Sequence, residues 1–167
     1  SSSNALVVYG PGGVLVGSYN LSVARGTIAA ASCGELAFFA GGQDEHKNNS
    51  DAVDIFNVSS LSFLPTVRLS QPRAMASGTS VDHYVLFAGG ELLEKEASGK
   101  SVNSARVDIY DCKATAWFDA GDYLSIPRKK AGGAHAGGKA IFGAGFSIEA
   151  HTNVAVYDMW DARTNTW

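Results

Sequence analysis

The chain is poor in the residues from which reactive and metal centres are most often built. Two cysteines, Cys33 and Cys112, occur in 167 residues and stand 79 positions apart. They have no metal-ligand spacing and are too few for a disulfide scaffold; a bridge between them is open to the sequence but not the expected reading. Charge is sparse, with 13 Lys and Arg against 16 Asp and Glu, and the net charge of -3 gives no general affinity for nucleic acid. The basic run Arg128-Lys129-Lys130 reads as solvated loop. No apolar run approaches the ~20 residues of a membrane-spanning helix. The first residues lack the basic start and unbroken apolar stretch of a signal peptide, so we expect any such signal to be absent from this sequence. Sustained helical periodicity is missing too; Glu91 to Ala97 holds enough helix formers for about two turns inside a loop.

What is abundant is glycine, 19 residues, in a chain that is 46% apolar, the composition of a turn-rich β protein. A pattern also recurs three times. Leu69 to Arg73 and Leu124 to Arg128 read Leu-Ser-x-Pro-Arg, and Leu21 to Arg25 is a degenerate version with Ala24 in place of proline. Seventeen residues after each arginine comes a glycine, Gly42, Gly90 and Gly145, closing Phe39 to Gly42, Phe87 to Gly90 and Phe142 to Gly145. A second anchor follows at Val53 to Asn57, Val107 to Asp111 and Tyr157 to Asp161. Seven residues beyond its aromatic stands another, Phe63, Trp117 or Trp167. A period of about 50 residues signals one supersecondary unit repeated.

Each repeat divides into short strands bounded by Gly, Asn, Asp, Ser or Pro. Ala74 to Val81 is rich in small residues, as a strand packed close to its neighbours needs. Tyr84 to Phe87 is wholly apolar and predicts burial on both faces. In the third strand Val107 and Ile109 alternate with Asp108 and Tyr110, and a fourth begins at Trp117. Asp111 to Thr115 predicts a hairpin loop whose aspartate bonds its own backbone. Aromatics seven apart then pair across that hairpin or seat on the next sheet.

An apolar strand, Gly-Gly, a variable loop, two aromatics seven apart and then Pro-Arg resemble the kelch motif over residues 21 to 167. The resemblance implies a β-propeller of four-stranded antiparallel blades. Residues 1–20 would be outer strands of a preceding blade, 21–68 and 69–123 complete blades, and 124–167 a blade stopping in its outer strand. Closed propellers have at least four blades. The expectation is therefore an arc completed by further blades of a longer chain or by other copies.

Strand direction puts the loops Gln43 to Ser50, Glu91 to Asn103 and Phe146 to Thr152 on one face with the Leu-Ser-x-Pro-Arg connections. By the resemblance, that face binds a protein or peptide partner. The candidate contacts are Arg25, Arg73, Arg128, His46, Lys47, Glu91, Glu94, Lys95, Glu149 and His151. A ring of arginines would clamp acidic groups bidentately; the competing reading pairs each arginine with a repeat aspartate such as Asp54 or Asp108. No catalytic set, metal site or cofactor is expected. The histidines lack ligand partners at useful spacing, and Gly133 to Lys139, which matches part of a phosphate loop, leads into strand and not helix. The resemblance also admits a segment of a kelch-type carbohydrate-binding protein or oxidase-like enzyme, or an architectural domain of an extracellular assembly. Three sequons, at Asn20, Asn48 and Asn57, would be glycan acceptors only in a secreted protein. Compartment stays open, leaning toward secretion or the cell surface.

Overall fold

The computed structural model describes residues 4–93, 101–118 and 124–167. Within them the chain is all-β and its sheets are antiparallel, with one short 3-10 turn at Pro11–Gly13. β1 (Ala5–Tyr9) and β2 (Leu15–Asn20) make a hairpin. The first large sheet holds β3 (Ala29–Cys33), β4 (Leu36–Ala40), β5 (Ala52–Asn57) and β6 (Ser62–Phe63), with β7 (Val67–Arg68) also pairing with β5. The second begins with β8 (Ser77–Val81) and β9 (Tyr84–Ala88). It is interrupted by a small hairpin, β10 (Glu91–Leu93) with β11 (Ser101–Asn103), and resumes as β12 (Val107–Asp111) and β13 (Ala116–Phe118). The third contains β14 (Gly132–Ala136) and β15 (Lys139–Gly143), a hairpin of β16 (Phe146–Ser147) with β17 (Thr152–Asn153), and then β18 (Tyr157–Asp161). Thr166 bridges back to Asp161 beside β18. Gly133 to Lys139 lies in the β14–β15 hairpin, where no helix N-terminus is available to hold a phosphate.

The three sheets stack through their first strands, with β8 between β3 and β14. The small residues of these strands are a steric requirement. A Cβ on Gly78 would collide with the carbonyl oxygen of Ala30, and one on Gly133 with that of Gly78. Farther out, large side chains fill the gaps. Phe38, Val53, Ile55 and Leu69 meet Val85, Phe87 and Tyr110 in one core. Leu86, Ile109 and Leu124 meet Phe142 and Trp160 in the next. β9 therefore sends Val85 and Phe87 one way and Tyr84 and Leu86 the other, and all of it is buried, as its unbroken apolar run predicts. Burying one such Phe or Leu fully contributes roughly 1.5–3 kcal/mol.

The paired aromatics serve both junctions. Phe56 meets Phe63 across its hairpin at 5.1 Å between ring centroids, and Tyr110 meets Trp117 at 5.3 Å. The same anchors reach back to the preceding sheet or hairpin: Phe56 to Tyr19, Tyr110 to Phe38 and Trp160 to Tyr84.

One expectation is overturned. Cys33 and Cys112 form a disulfide, with Cα atoms 6.6 Å apart. They differ in repeat phase because they come from adjacent sheets, one at the end of β3 and the other just after β12, which stacking brings together. The bridge staples the first sheet to the second across a loop long enough to restrict the unfolded chain strongly.

Three outcomes are expected. Gly78→Ala should lower the urea midpoint, with a loss of about 1–3 kcal/mol from overpacking. Gly26→Ala should leave it unchanged, because nothing lies within 4 Å of a Cβ there and the second repeat carries Ala74 at that position. Reducing the disulfide should cost about 2–4 kcal/mol of unfolding free energy, read as a fall in melting temperature with reductant.

Candidate interaction face

The arginine of each repeat turns inward. Arg25, Arg73 and Arg128 are 2%, 0% and 0% exposed. Arg25 Nη2 donates to Asp54 Oδ2 at 2.8 Å, and the equivalent pairs are Arg73–Asp108 at 2.6 Å and Arg128–Asp158 at 2.7 Å. The same Nη2 atoms donate to the carbonyls of Phe39, Phe87 and Phe142, the residues that open the Gly-Gly signature. Each aspartate also accepts from the backbone N–H of the motif serine: Ser22 to Asp54, Ser70 to Asp108, Ser125 to Asp158. The motif leucines Leu21, Leu69 and Leu124 are buried beside these clasps. Burial pulls the Arg73 guanidinium below its ordinary value while Asp108 opposes that. These side chains thus lie inside the protein, paired with the repeat aspartates, and present no guanidinium on the surface. The run Arg128-Lys129-Lys130 is not one solvated patch, since its first member is wholly buried.

The arginine backbone links one repeat to the one before it. Gly42 N–H donates to the Arg73 carbonyl and Gly90 N–H to the Arg128 carbonyl, both at 2.9 Å. Those carbonyls approach so closely that a Cβ at Gly41 or Gly89 would strike them, and both glycines have positive φ, 63° and 64°. Two residues past each arginine sit Thr27, Met75 and Lys130, in the left-handed region at φ 52°, 56° and 56°. They are joined in series, Lys130 N–H to the Met75 carbonyl and Met75 N–H to the Thr27 carbonyl. Together with Ile28, Ala76 and Ala131 they line an open cleft of about 420 Å³.

The described residues of the variable loops lie beside the arginine connections. Gly26 bridges to Gln43, Ala74 to Glu91 and Lys129 to Phe146, which ties each arginine connection to the variable loop of its own repeat. Neighbouring loops are also joined. Asn49 Nδ2 donates to the Glu91 carbonyl at 2.8 Å. Asn103 donates its N–H to Glu149 Oε1 at 2.8 Å and accepts from Ile148 N–H at 2.6 Å. Glu91 pairs with Lys129. Burial opposes ionisation of Glu91, but hydrogen bonds from Lys129 and Ser101 and the charges of Lys129 and Lys130 outweigh it, so its carboxyl lies below the ordinary glutamate value.

Of the loop candidates, His46, Lys47, Glu149 and His151 are exposed and Glu91 is half-buried. Glu94 and Lys95 lie outside the described residues. Sequence reasoning missed Asn49, Asn103 and Lys129, whose partners come from other repeats and leave no local signal. Among the described residues no three His, Cys, Asp or Glu side chains converge as metal ligands. No helix among them is long and apolar enough to cross a membrane.

No protein-family profile matches the chain, and no curated protein does. Solved structures do. One, described as the structure of YjhT, superimposes with a TM-score of 0.78 at 13% identity over 98% of this chain and 51% of its own. The chain spans about half the length of that structure, and at this identity the likeness shows the fold alone.

The clasp has a measurable consequence. Arg73→Ala leaves Asp108 buried without its counter-ion and should cost about 3–5 kcal/mol of stability. Arg73→Lys should restore part of it, because Arg73 meets both Asp108 and the Phe87 carbonyl through Nη2 alone, two bonds that a single ammonium can also donate. Urea denaturation of both variants checks this.

Proposed function

We propose that this chain is a non-catalytic interaction module, part of a kelch-type β-propeller that offers the end carrying its variable loops to a protein or peptide partner. One observation carries the reading. The residues that recur in every repeat are consumed internally, the arginines and aspartates in buried clasps and the glycines under carbonyls. The side chains left exposed at the loop end, His46, Lys47, Glu149 and His151, differ from repeat to repeat. A rigid scaffold bearing variable polar loops is the arrangement in which recognition resides. The cross-loop bonds of Asn49 and Asn103 support it, since they hold neighbouring loops in fixed relation before any partner arrives. The kelch assignment rests on the Gly-Gly, paired-aromatic and Pro-Arg signature, and the half-length likeness to a solved structure agrees with further sheets completing the ring.

The partner contacts move accordingly from the arginines to the loops. A triple variant, His46→Ala, Lys47→Glu and His151→Ala, should keep the parent melting temperature and lose at least about tenfold in affinity, ~1.4 kcal/mol, for a partner identified by proximity labelling and purified. Unchanged affinity in the folded variant would refute this placement of the binding face.

A further inference from the structure

The three Asn-x-Ser sequons differ in what the fold does with each asparagine. Asn48 is half-buried, and its Nδ2 donates to Asp44 Oδ2 at 2.9 Å, so the amide that would carry a glycan is engaged within its loop. Asn20 is exposed at the end of β2, but the N–H of Ser22 is taken by Asp54, so no turn forms over that sequon. Asn57 is different. Its Oδ1 accepts from the N–H groups of Ser59 and Ser60 at 2.9 and 3.0 Å, folding the sequon into an Asx turn at the tip of the β5–β6 hairpin. Asn57 is half-buried like Asn48, but Val58, Ser59 and Ser60 beside it are exposed, and among the described residues nothing accepts from Asn57 Nδ2.

The other repeats show how little of this side chain the fold requires. Asp111 accepts from Lys113 and Ala114, and Asp161 from Arg163, in the equivalent turns. One oxygen satisfies the turn. The second oxygen faces a nitrogen group in those repeats, the His83 ring beside Asp111 and the Lys139 ammonium beside Asp161. In the first repeat that second position is a free amide. Independently, Cys33 and Cys112 are disulfide-bonded, a state that persists in oxidising compartments and is rare in the cytosol.

We propose that Asn57 is an N-glycosylation site and that the chain matures in an oxidising secretory compartment. The donor class is a lipid-pyrophosphate-linked oligosaccharide. Asn57 Nδ2 attacks the anomeric carbon, the C–N bond forms as the bond from that carbon to the pyrophosphate oxygen breaks, and the lipid pyrophosphate departs with the electron pair. One amide proton passes to a base of the transferase. Because the Asx turn spans only three residues beyond Asn57, it can form in the chain before the sheets assemble.

Glycopeptide mapping of the full chain from the cells that produce it, with disulfide mapping on the same sample, tests the proposal. The expected result is an oligosaccharide on the Asn57 peptide, none on the Asn48 peptide, and Cys33 linked to Cys112. Asn57→Asp, which supplies the turn acceptor found at Asp111 and Asp161, should abolish the modification without changing the melting temperature. Ser59→Ala should abolish it with Asn57 retained. An unmodified Asn57 overturns the proposal whatever the state of the cysteines, as does a glycan on Asn48 in its place.

Discussion

The buried arginine–aspartate clasp is the contact on which the rest of this structure depends. In each repeat one guanidinium joins three segments distant in sequence: the connection it belongs to, the aspartate of the third strand, and the phenylalanine carbonyl that opens the glycine signature. Arginine suits the position because its terminal Nη2 carries two N–H groups and meets a carboxylate and a carbonyl at once. An ion pair so deeply buried gains little net stability over apolar residues of similar size, but leaving either partner alone is costly. That asymmetry favours one strand arrangement over alternatives that would strand a charge inside.

From the clasp the order spreads between repeats. The arginine carbonyl is received by the second glycine of the repeat before, and the first glycine of that pair gives it room. Side chain and backbone of one residue thereby set both the inside of a repeat and its distance from the one before. The third repeat has Ala144 where the first two have Gly41 and Gly89. It keeps the left-handed backbone at φ 55°. Because the clasps absorb the recurring charges, the loop end is left with groups that differ from repeat to repeat, and the proposed recognition role follows from that division.

Much of the architecture was legible in the residue order because its causes are local. The wholly apolar Tyr84 to Phe87 announced a strand covered on both sides, and β9 lies between two cores. The seven-residue aromatic spacing is a hairpin register, seen as Tyr110 opposite Trp117. Asp111 read as a turn former and is one. The arginines were harder. Their recurrence fitted both a surface ring and an internal pairing, and only burial separates the two. Cys33 and Cys112 were illegible as partners, since they meet through the stacking of two sheets and not through any spacing along the chain.

The sequence by itself determined that the chain is β, that it repeats, and where the main strands and turns of each repeat fall, although Glu91, read within a stretch of helix formers, opens the short strand β10. These follow from alternation, glycine placement and side-chain bonds spanning a few residues. Tertiary structure alone decided which charges are scaffold and which are surface, which loops touch, and that two cysteines from different sheets are joined. Those outcomes depend on distances between sheets, and those distances depend on how closely backbones can approach at Gly78 and Gly133, a property of strands packed together and of no single segment.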